Sequence, residues 1–212
     1  EETALHLKDR KLEALEYITH AKLYFYENPE KAQQLMKRAD ECLQGSNLRR
    51  IALHNDITKL ILILKQINLT SSALDDMKQQ AKKILDECVE KQFANSVIRS
   101  NLVLGTLYFL SDKNISKNPI SLYYLNQGID ASLRFGIGTY IWEIYTLLAL
   151  ISIRQHQPLD YTARLFETVF QQLRRQNLLH ARSSDFCYGN LLAISNIAKF
   201  YAIHKFESEF YQ

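Results

Sequence analysis

The residue types that most often carry out catalysis occur in this sequence, but not at the spacings that their chemistry requires. None of the six histidines forms an HExxH motif, and no cluster of Cys and His has the spacing of a zinc site. Neither GxGxxG nor GxxxxGK followed by Ser or Thr occurs, so no glycine-rich loop is expected to hold a phosphate group. The sequence therefore predicts a protein that is not an enzyme and that uses no metal and no cofactor.

The remaining reactive or charged groups have structural explanations. Asp75–Asp76 is expected in the first turn of a helix, where the helix dipole favours carboxylates. The pairs Arg49–Arg50 and Arg174–Arg175 are expected near helix ends, where a cation is favoured or solvated. Cys187 has no apparent activating partner, so we expect a buried structural thiol rather than a nucleophile.

Composition and charge exclude two further classes of protein. Apolar residues make up 47% of the chain, which is too many for a disordered segment. The 26 basic and 23 acidic residues leave a net charge of +3, whereas a nucleic-acid-binding surface requires a concentrated basic face. We therefore expect no direct nucleic-acid contact by this segment, and the near-neutral charge disfavours an RNA-binding helical repeat.

The cysteines and the apolar runs indicate a cytoplasmic protein. The three cysteines are far apart and form no CxxC pair, which is typical of a reducing compartment. The longest apolar runs, Leu60–Leu64 and Tyr145–Ile153, are much shorter than the ~20 residues of a membrane-spanning helix. The chain begins without Met or a signal sequence, so we expect the C-terminal fragment of a longer protein with no membrane association.

A spacing of small, large and small residues recurs along the chain. In ISLYYLNQGIDASLRFG these residues are Ser121, Leu125 and Gly128, at offsets of four and three, which keep them on one helical face. Small residues at the ends would let a neighbouring helix approach closely, and the large residue would fill the groove. The units are roughly forty to fifty residues long, a period typical of helical solenoids. The same spacing occurs at Ala32, Met36 and Ala39, at Ala81, Leu85 and Cys88, and at Thr162, Phe166 and Val169.

A small residue with an aromatic residue three positions later precedes two of these triplets. Ala21 and Tyr24 precede the first triplet, and Gly105 and Tyr108 precede the third. This order resembles the tetratricopeptide repeat, in which an aromatic, Leu-Gly, Tyr, Ala, Phe, Ala and Pro recur over 34 residues. The units here are longer and lack the closing Pro, and the second unit has no obvious small–aromatic pair. The alternative interpretation is an unrelated helical bundle.

The sequence predicts an all-α fold of about nine helices. Six Gly and three Pro leave few turn signals, so long helices with short loops are expected. The resemblance implies antiparallel helix pairs stacked in a TPR-like right-handed superhelix. Asn28–Pro29 predicts one helix start and Thr70–Ser72 another. No linker divides the chain, so residues 1–212 are expected to form a single TPR-like helical repeat domain. The predicted helices span 4–26, 30–44, 48–67, 72–92, 95–111, 119–134, 139–155, 159–176 and 183–205.

The resemblance also implies where a ligand would bind. In tetratricopeptide-like solenoids the first helix of each pair lines a concave groove that holds peptides or partner segments. An extended peptide exposes backbone donors and acceptors that polar side chains can bind, although the same residues could form the hydrophilic side of amphipathic helices. We place the close-packed positions of the first helices at Ala21, Ile61, Gly105, Ala149 and Gly189. The groove-facing residues are then Lys22, Phe25, Asn55, Thr58, Lys65, Arg99, Thr106, Phe109, Glu143, Thr146, Ser183 and Asn190.

Three functions fit these observations. The first is a protein- or peptide-binding regulatory or sensor domain of a bacterial transcription regulator. Long, degenerate units of this kind are similar to the C-terminal part of peptide-responsive regulators of Gram-positive bacteria, where a solenoid follows a helix-turn-helix, dimerises and binds a short signalling peptide. The resemblance therefore implies a peptide or protein segment as partner and allows a homodimer. The alternatives are the sensor or oligomerisation solenoid of a signalling ATPase and a stand-alone protein-interaction scaffold.

Overall fold

The protein is all-α in the part of the chain that the structure describes. The computed structural model describes residues 2–25, 27–64, 69–111, 119–175, 195–197 and 199–200. The residues at 195–197 and 199–200 are helical, and within the other described ranges there are eight long helices. These are α1 (Glu2–Tyr24), α2 (Pro29–Leu43), α3 (Arg49–Leu64), α4 (Ser71–Glu90), α5 (Ala94–Ser111), α6 (Pro119–Phe135), α7 (Ile141–Arg154) and α8 (Leu159–Arg175).

Consecutive helices pack against each other within two compact units. The first unit contains α1 to α6, and the second contains α7 and α8. In the first unit α1 packs on α2, α4 on α5 and α5 on α6, while α3 contacts α1, α2, α4 and α5. In the second unit α7 packs on α8. These contacts confirm the prediction of an all-helical chain built from consecutive pairs. The single-domain assignment and the sense of the superhelix stay predictions.

The predicted helix starts are confirmed by side-chain caps. The Asn28 side chain accepts a hydrogen bond from the backbone N–H of Lys31 at 3.0 Å, and Pro29 occupies the first helical position of α2. The Thr70 hydroxyl accepts from the backbone N–H of Ala73 at 3.2 Å at the start of α4. Each cap satisfies one backbone donor that has no partner inside its helix.

Besides Gly45 after α2, a residue with left-handed backbone conformation follows three helices. These residues are Gln92 after α4, Gly136 after α6 and His156 after α7, with φ angles of 55°, 65° and 52°. In each case the N–H of the following residue bonds to a carbonyl five positions earlier, as from Phe93 to Cys88 at 2.9 Å. This is the hydrogen bond of a Schellman motif. Only one of the three motifs uses glycine, the residue that adopts this conformation without strain.

The small–large–small triplets face the protein interior, as predicted. All but one of the twelve triplet residues are buried, and Leu85 is partly buried. In the α5–α6 pair the Ser121 hydroxyl donates a hydrogen bond to the Gly105 carbonyl at 2.7 Å. In the α7–α8 pair the hydroxyls of Ser152 and Thr162 lie 2.6 Å apart, both buried. The small positions therefore allow close approach and, in these two pairs, also join the helices by a hydrogen bond.

The aromatic residue three positions after the small residue contacts lysine side chains of a neighbouring helix. The Lys31 Nζ of α2 lies 3.6 Å from the centre of the Tyr24 ring. The Lys78 Nζ of α4 lies 5.0 Å from the centre of the Tyr108 ring, which also stacks on Tyr124 of α6 at a centroid distance of 5.6 Å. Cations over aromatic faces are attracted by the ring quadrupole. Tyr108 thus connects α5 to both α4 and α6.

The second pair departs from this pattern. The predicted close-packed position of α3 is Ile61, which is only partly buried, whereas Ala21 of α1 and Gly105 of α5 are buried. A β-branched side chain at this position keeps a neighbouring helix further away. The contact of α4 with α5 is accordingly more extensive than its contact with α3. A salt bridge compensates at one end, because the Arg49 guanidinium binds both carboxylate oxygens of Glu87.

One predicted placement of charged residues is wrong and another is confirmed. Asp75 and Asp76 lie in the second turn of α4, because the helix begins at Ser71. Asp75 pairs there with Lys78 at 2.8 Å, a local ion pair on the exposed helix surface. The arginine pairs lie at helix ends, as predicted: Arg49–Arg50 begins α3 and Arg174–Arg175 ends α8. The helix dipole favours only the second pair, and at the start of α3 the exposed Arg49 forms an ion pair with Glu87.

Candidate functional site

Three predicted groove residues lie in the interior of the first unit. Asn55, Thr58 and Arg99 are buried, with exposed fractions of 0%, 1% and 4%. Thr58 and Arg99 come together although they lie on different helices, because α3 and α5 contact each other. The Arg99 Nη2 donates to the Thr58 hydroxyl at 3.1 Å. Two of the residues that the sequence placed on one surface therefore form one contact inside the structure.

His54 completes this buried cluster. The Arg99 Nη1 lies 2.6 Å from the His54 Nδ1, and a guanidinium group can only donate. The imidazole therefore accepts at Nδ1 and carries its proton on Nε2. Burial is the largest cause that lowers the pKa of His54 from 6.5 to about 3. The ring is neutral at physiological pH, which is the state that the hydrogen bond from Arg99 requires.

Positive charges surround this imidazole. Besides burial, the pKa of His54 is lowered by the charges of Arg99, Lys22 and Arg50. These cations come from α1, α3 and α5, the first helices of three consecutive pairs. Positive charges from three helices therefore oppose protonation of the ring.

A second polar network joins α2 to α3. The Lys59 Nζ lies 2.5 Å from each carboxylate oxygen of Asp40 and 3.4 Å from Asp56. The Asn55 amide also donates to Asp40, at 2.7 Å. Burial raises the pKa of Asp56, and the nearby Lys59 ammonium opposes that change. Two carboxylates thus compensate the charge of Lys59.

A cavity of about 330 Å³ lies beside this network, between α2, α3 and the residue that follows α1. We call it the α2–α3 cavity. Its apolar lining consists of Phe25, Ala32, Met36, Leu62 and Ile63. All of these except Ile63 belong to the buried core that joins α1, α2 and α3. The polar lining residues are Gln33, Lys37, Asp40 and Lys59. Ligand sites typically combine such an apolar interior with a few polar groups, and this volume is at the lower end of their usual range.

The cavity mouth carries one uncompensated positive charge. Gln33 and Lys37 lie four residues apart on α2, so they project from the same face of the helix. Both side chains are exposed, and Lys37 forms no ion pair within the part of the chain that the structure describes. Lys59, on the facing helix, is already held by Asp40. Lys37 and Gln33 are therefore the groups that could bind polar parts of a ligand.

The other predicted groove residues are distributed between interior and surface. Phe109 is buried, and Phe25 is buried but lines the cavity. Thr106 and Thr146 are partly buried, and each hydroxyl bonds to the backbone carbonyl four residues earlier. Lys22 and Glu143 are partly exposed, and Lys65, Ser183 and Asn190 lie outside the described residues, as does Cys187. Ligand binding by all of these residues stays a prediction.

The sequence analysis missed the polar residues of the cavity mouth. It assigned ligand contacts to the first helix of each pair, whereas Gln33 and Lys37 lie on the second helix of the first pair. Their spacing of four is the only sequence signal, and it is equally typical of a solvated helix face. His54 was also missed, because its role depends on Arg99, which is 45 residues away.

No group of three or more His, Cys, Asp or Glu residues in the described part of the chain could hold a metal ion. None of the helices in the described ranges combines the length and the apolar character that crossing a bilayer requires.

Comparison with known proteins gave no match: no family model, no curated protein and no solved structure is significantly similar to this chain.

Proposed function

We propose that this chain is a tetratricopeptide-like repeat domain that binds a peptide or a segment of a partner protein. The observation that carries the proposal is the order of contacts in the first unit. There α1 contacts α3 and α3 contacts α5, so the first helices of three consecutive pairs form a continuous row. A row of helices offers a surface that is longer than any single helix, and an extended segment can follow such a surface.

The charges along this row support a ligand that is negatively charged. Lys22 of α1 is partly exposed and Arg50 of α3 is exposed, whereas Arg99 of α5 is buried and contributes only through its field. Complementary charge accelerates association and excludes partners of the same sign. The proposed ligand is therefore an acidic peptide or an acidic segment of a larger protein.

A peptide-display experiment tests the proposal. A library of random heptapeptides is selected on the immobilised chain and, in parallel, on an unrelated helical protein. We expect enriched peptides with net negative charge that bind more weakly as salt concentration rises. Selection of the same peptides by both proteins, or of none by this chain, contradicts the proposal.

A charge reversal on the row tests the electrostatic part. Arg50→Glu should weaken binding of the selected peptides, mainly through slower association. Lys83→Glu is the matched control, because Lys83 is an exposed cation on α4, outside the row. Equal effects of both substitutions would mean that only the net charge of the chain matters.

The regulatory role is the broader part of the proposal. We propose that the domain belongs to a peptide-responsive transcription regulator, with the signalling ATPase and the stand-alone scaffold as alternatives. Whether a helix-turn-helix, a P-loop domain or neither precedes this chain in the full-length protein distinguishes them. Sedimentation of the chain with and without a selected peptide tests the homodimer that the resemblance allows.

A further inference from the structure

We propose that the α2–α3 cavity holds an apolar side chain of an extended partner segment, and that Lys37 selects an acidic residue two positions away in that segment. This inference rests on the proposed function and adds a second contact site, on α2 and α3 rather than on the row of first helices.

The size and the lining of the cavity define the apolar part of the ligand. At ~30 Å³ for each water molecule, about 330 Å³ corresponds to roughly eleven water molecules, which is enough space for one large apolar side chain. Phe25, Met36 and Leu62 form its interior and offer no hydrogen-bond donors to water there. Replacing poorly held water by a hydrocarbon side chain favours binding.

The charges at the mouth define the polar part of the ligand. Lys59 is compensated by Asp40 and Asp56, whereas Lys37 has no ion pair within the described ranges. Lys37 therefore favours a carboxylate over a cation at the mouth. Gln33, one helical turn before Lys37, can both donate and accept, as binding of a peptide backbone requires.

The geometry of an extended chain fixes the spacing of the two parts. Successive side chains of an extended segment point to opposite sides, and each residue advances the chain by about 3.3 Å. A side chain that enters the cavity and a carboxylate that reaches Lys37 must lie on the same side. Because Lys37 itself lines the cavity, we expect the carboxylate at the nearest position on that side, two residues away. The recognised pattern is then a large apolar residue, any residue and Asp or Glu, or the reverse order.

Heptapeptides selected by display on the complete chain, labelled with fluorescein, are the probes for this site. Gln33→Trp should block the mouth from an exposed position and weaken peptide binding by about tenfold or more, because the apolar side chain can no longer be buried. Gln34→Trp is the matched control, since Gln34 is an exposed neighbour that does not line the cavity. Circular dichroism and the melting temperature show whether each variant is folded.

A charge exchange tests the role of Lys37. Lys37→Glu should weaken binding of peptides with the acidic residue by roughly three- to tenfold, and replacing that residue by Lys in the peptide should restore binding. Arg38→Glu, which changes an exposed cation that does not line the cavity, should leave this preference unchanged.

The outcomes separate this inference from the proposed function. Selected peptides that lack the spacing of two, or that bind Gln33→Trp and Gln34→Trp equally well, overturn the cavity site and leave peptide binding by the domain intact. Failure to select any peptide contradicts the proposed function itself. A cavity that binds only a free small molecule, or a second copy of the chain, also overturns the inference.

Discussion

A β-carbon added to Gly105 of α5 would lie 2.6 Å from Cδ2 and 2.8 Å from Cγ of Leu125 on α6. Leu125 is fully buried, so its side chain has little room to move away. The large residue of the triplet therefore occupies the space that the missing side chain of Gly105 leaves. The close approach of α5 and α6 depends on this pair.

Gly105→Ala should lower the free energy of unfolding by about 1–2 kcal/mol. Overpacking costs about 1–3 kcal/mol, and the better helix propensity of Ala offsets up to about 1 kcal/mol of it. Chemical denaturation measures the change. A stabilised Gly105→Ala variant would mean that the two helices can separate at no cost.

In a Leu125→Ala background, Gly105→Ala should stabilise the protein instead of destabilising it. Leu125→Ala alone should cost about 2–5 kcal/mol, because it leaves a cavity in the interior. In that background Gly105→Ala no longer collides with a side chain, so it should stabilise the protein by up to about 1 kcal/mol. A double-mutant cycle measures this coupling, and additive effects of the two substitutions would contradict it.

Gln92→Gly and His156→Gly should each stabilise the protein by about 0.5–1 kcal/mol. Both residues have positive φ, which costs side chains other than glycine about 1–2 kcal/mol, and the entropy that glycine loses on folding offsets part of the gain. Gln155→Gly is the matched control, because Gln155 has a φ of −86° and glycine there should destabilise. Gly136→Ala should destabilise by about 1 kcal/mol. A stabilising Gln155→Gly would show that the backbone conformation is not the cause.

Acidification should destabilise the protein through His54. The pKa is about 3 in the folded state and near 6.5 in the unfolded state, so the unfolded state binds the additional proton between these values. The free energy of unfolding should therefore fall as the pH decreases from about 6.5, and should be about 2 kcal/mol lower at pH 5 than at pH 8. Denaturation at a series of pH values measures it.

His54→Gln removes this titrating group, so the free energy of unfolding should change less with pH between 5 and 6.5 than it does in the wild type. The pKa of Glu87 is lowered to about 2, first by its hydrogen bond from Arg49, so the stability from this pair is lost only below the ordinary value of 4.5. Asp56, with its raised pKa, gives a slope of opposite sign and is present in both proteins. An equal slope in wild type and His54→Gln would assign the effect to another group.

The hydroxyl pair of Ser152 and Thr162 should be coupled. Ser152→Ala or Thr162→Val leaves one buried hydroxyl without its partner, and each should cost about 1–3 kcal/mol. Replacing both hydroxyls removes the unsatisfied group, so the double variant should lose about 1 kcal/mol less than the sum. A purely additive double variant would mean that the two hydroxyls do not bond.

The sequence by itself determined the helices and their buried faces. The residues that decide these features interact within a few positions: Asn28 caps the helix that begins at the next residue, and the triplet of Ser121, Leu125 and Gly128 repeats with the helical period. Such local interactions depend on spacing along the chain, and spacing is visible in the sequence. The predicted pairing of consecutive helices followed from the same repeats.

Only the tertiary structure decided which polar residues are buried and which face a ligand. Thr58 and Arg99, predicted as groove residues, bond to each other across 41 positions. Lys37 lines a cavity from α2, a helix that was predicted to pack in the repeat and not to contact a ligand. A polar side chain on an amphipathic helix looks the same in sequence whether it meets solvent, a ligand or a buried partner. The way in which α3 crosses its neighbouring helices decides between these environments. That crossing depends on close packing between residues that are far apart in the sequence.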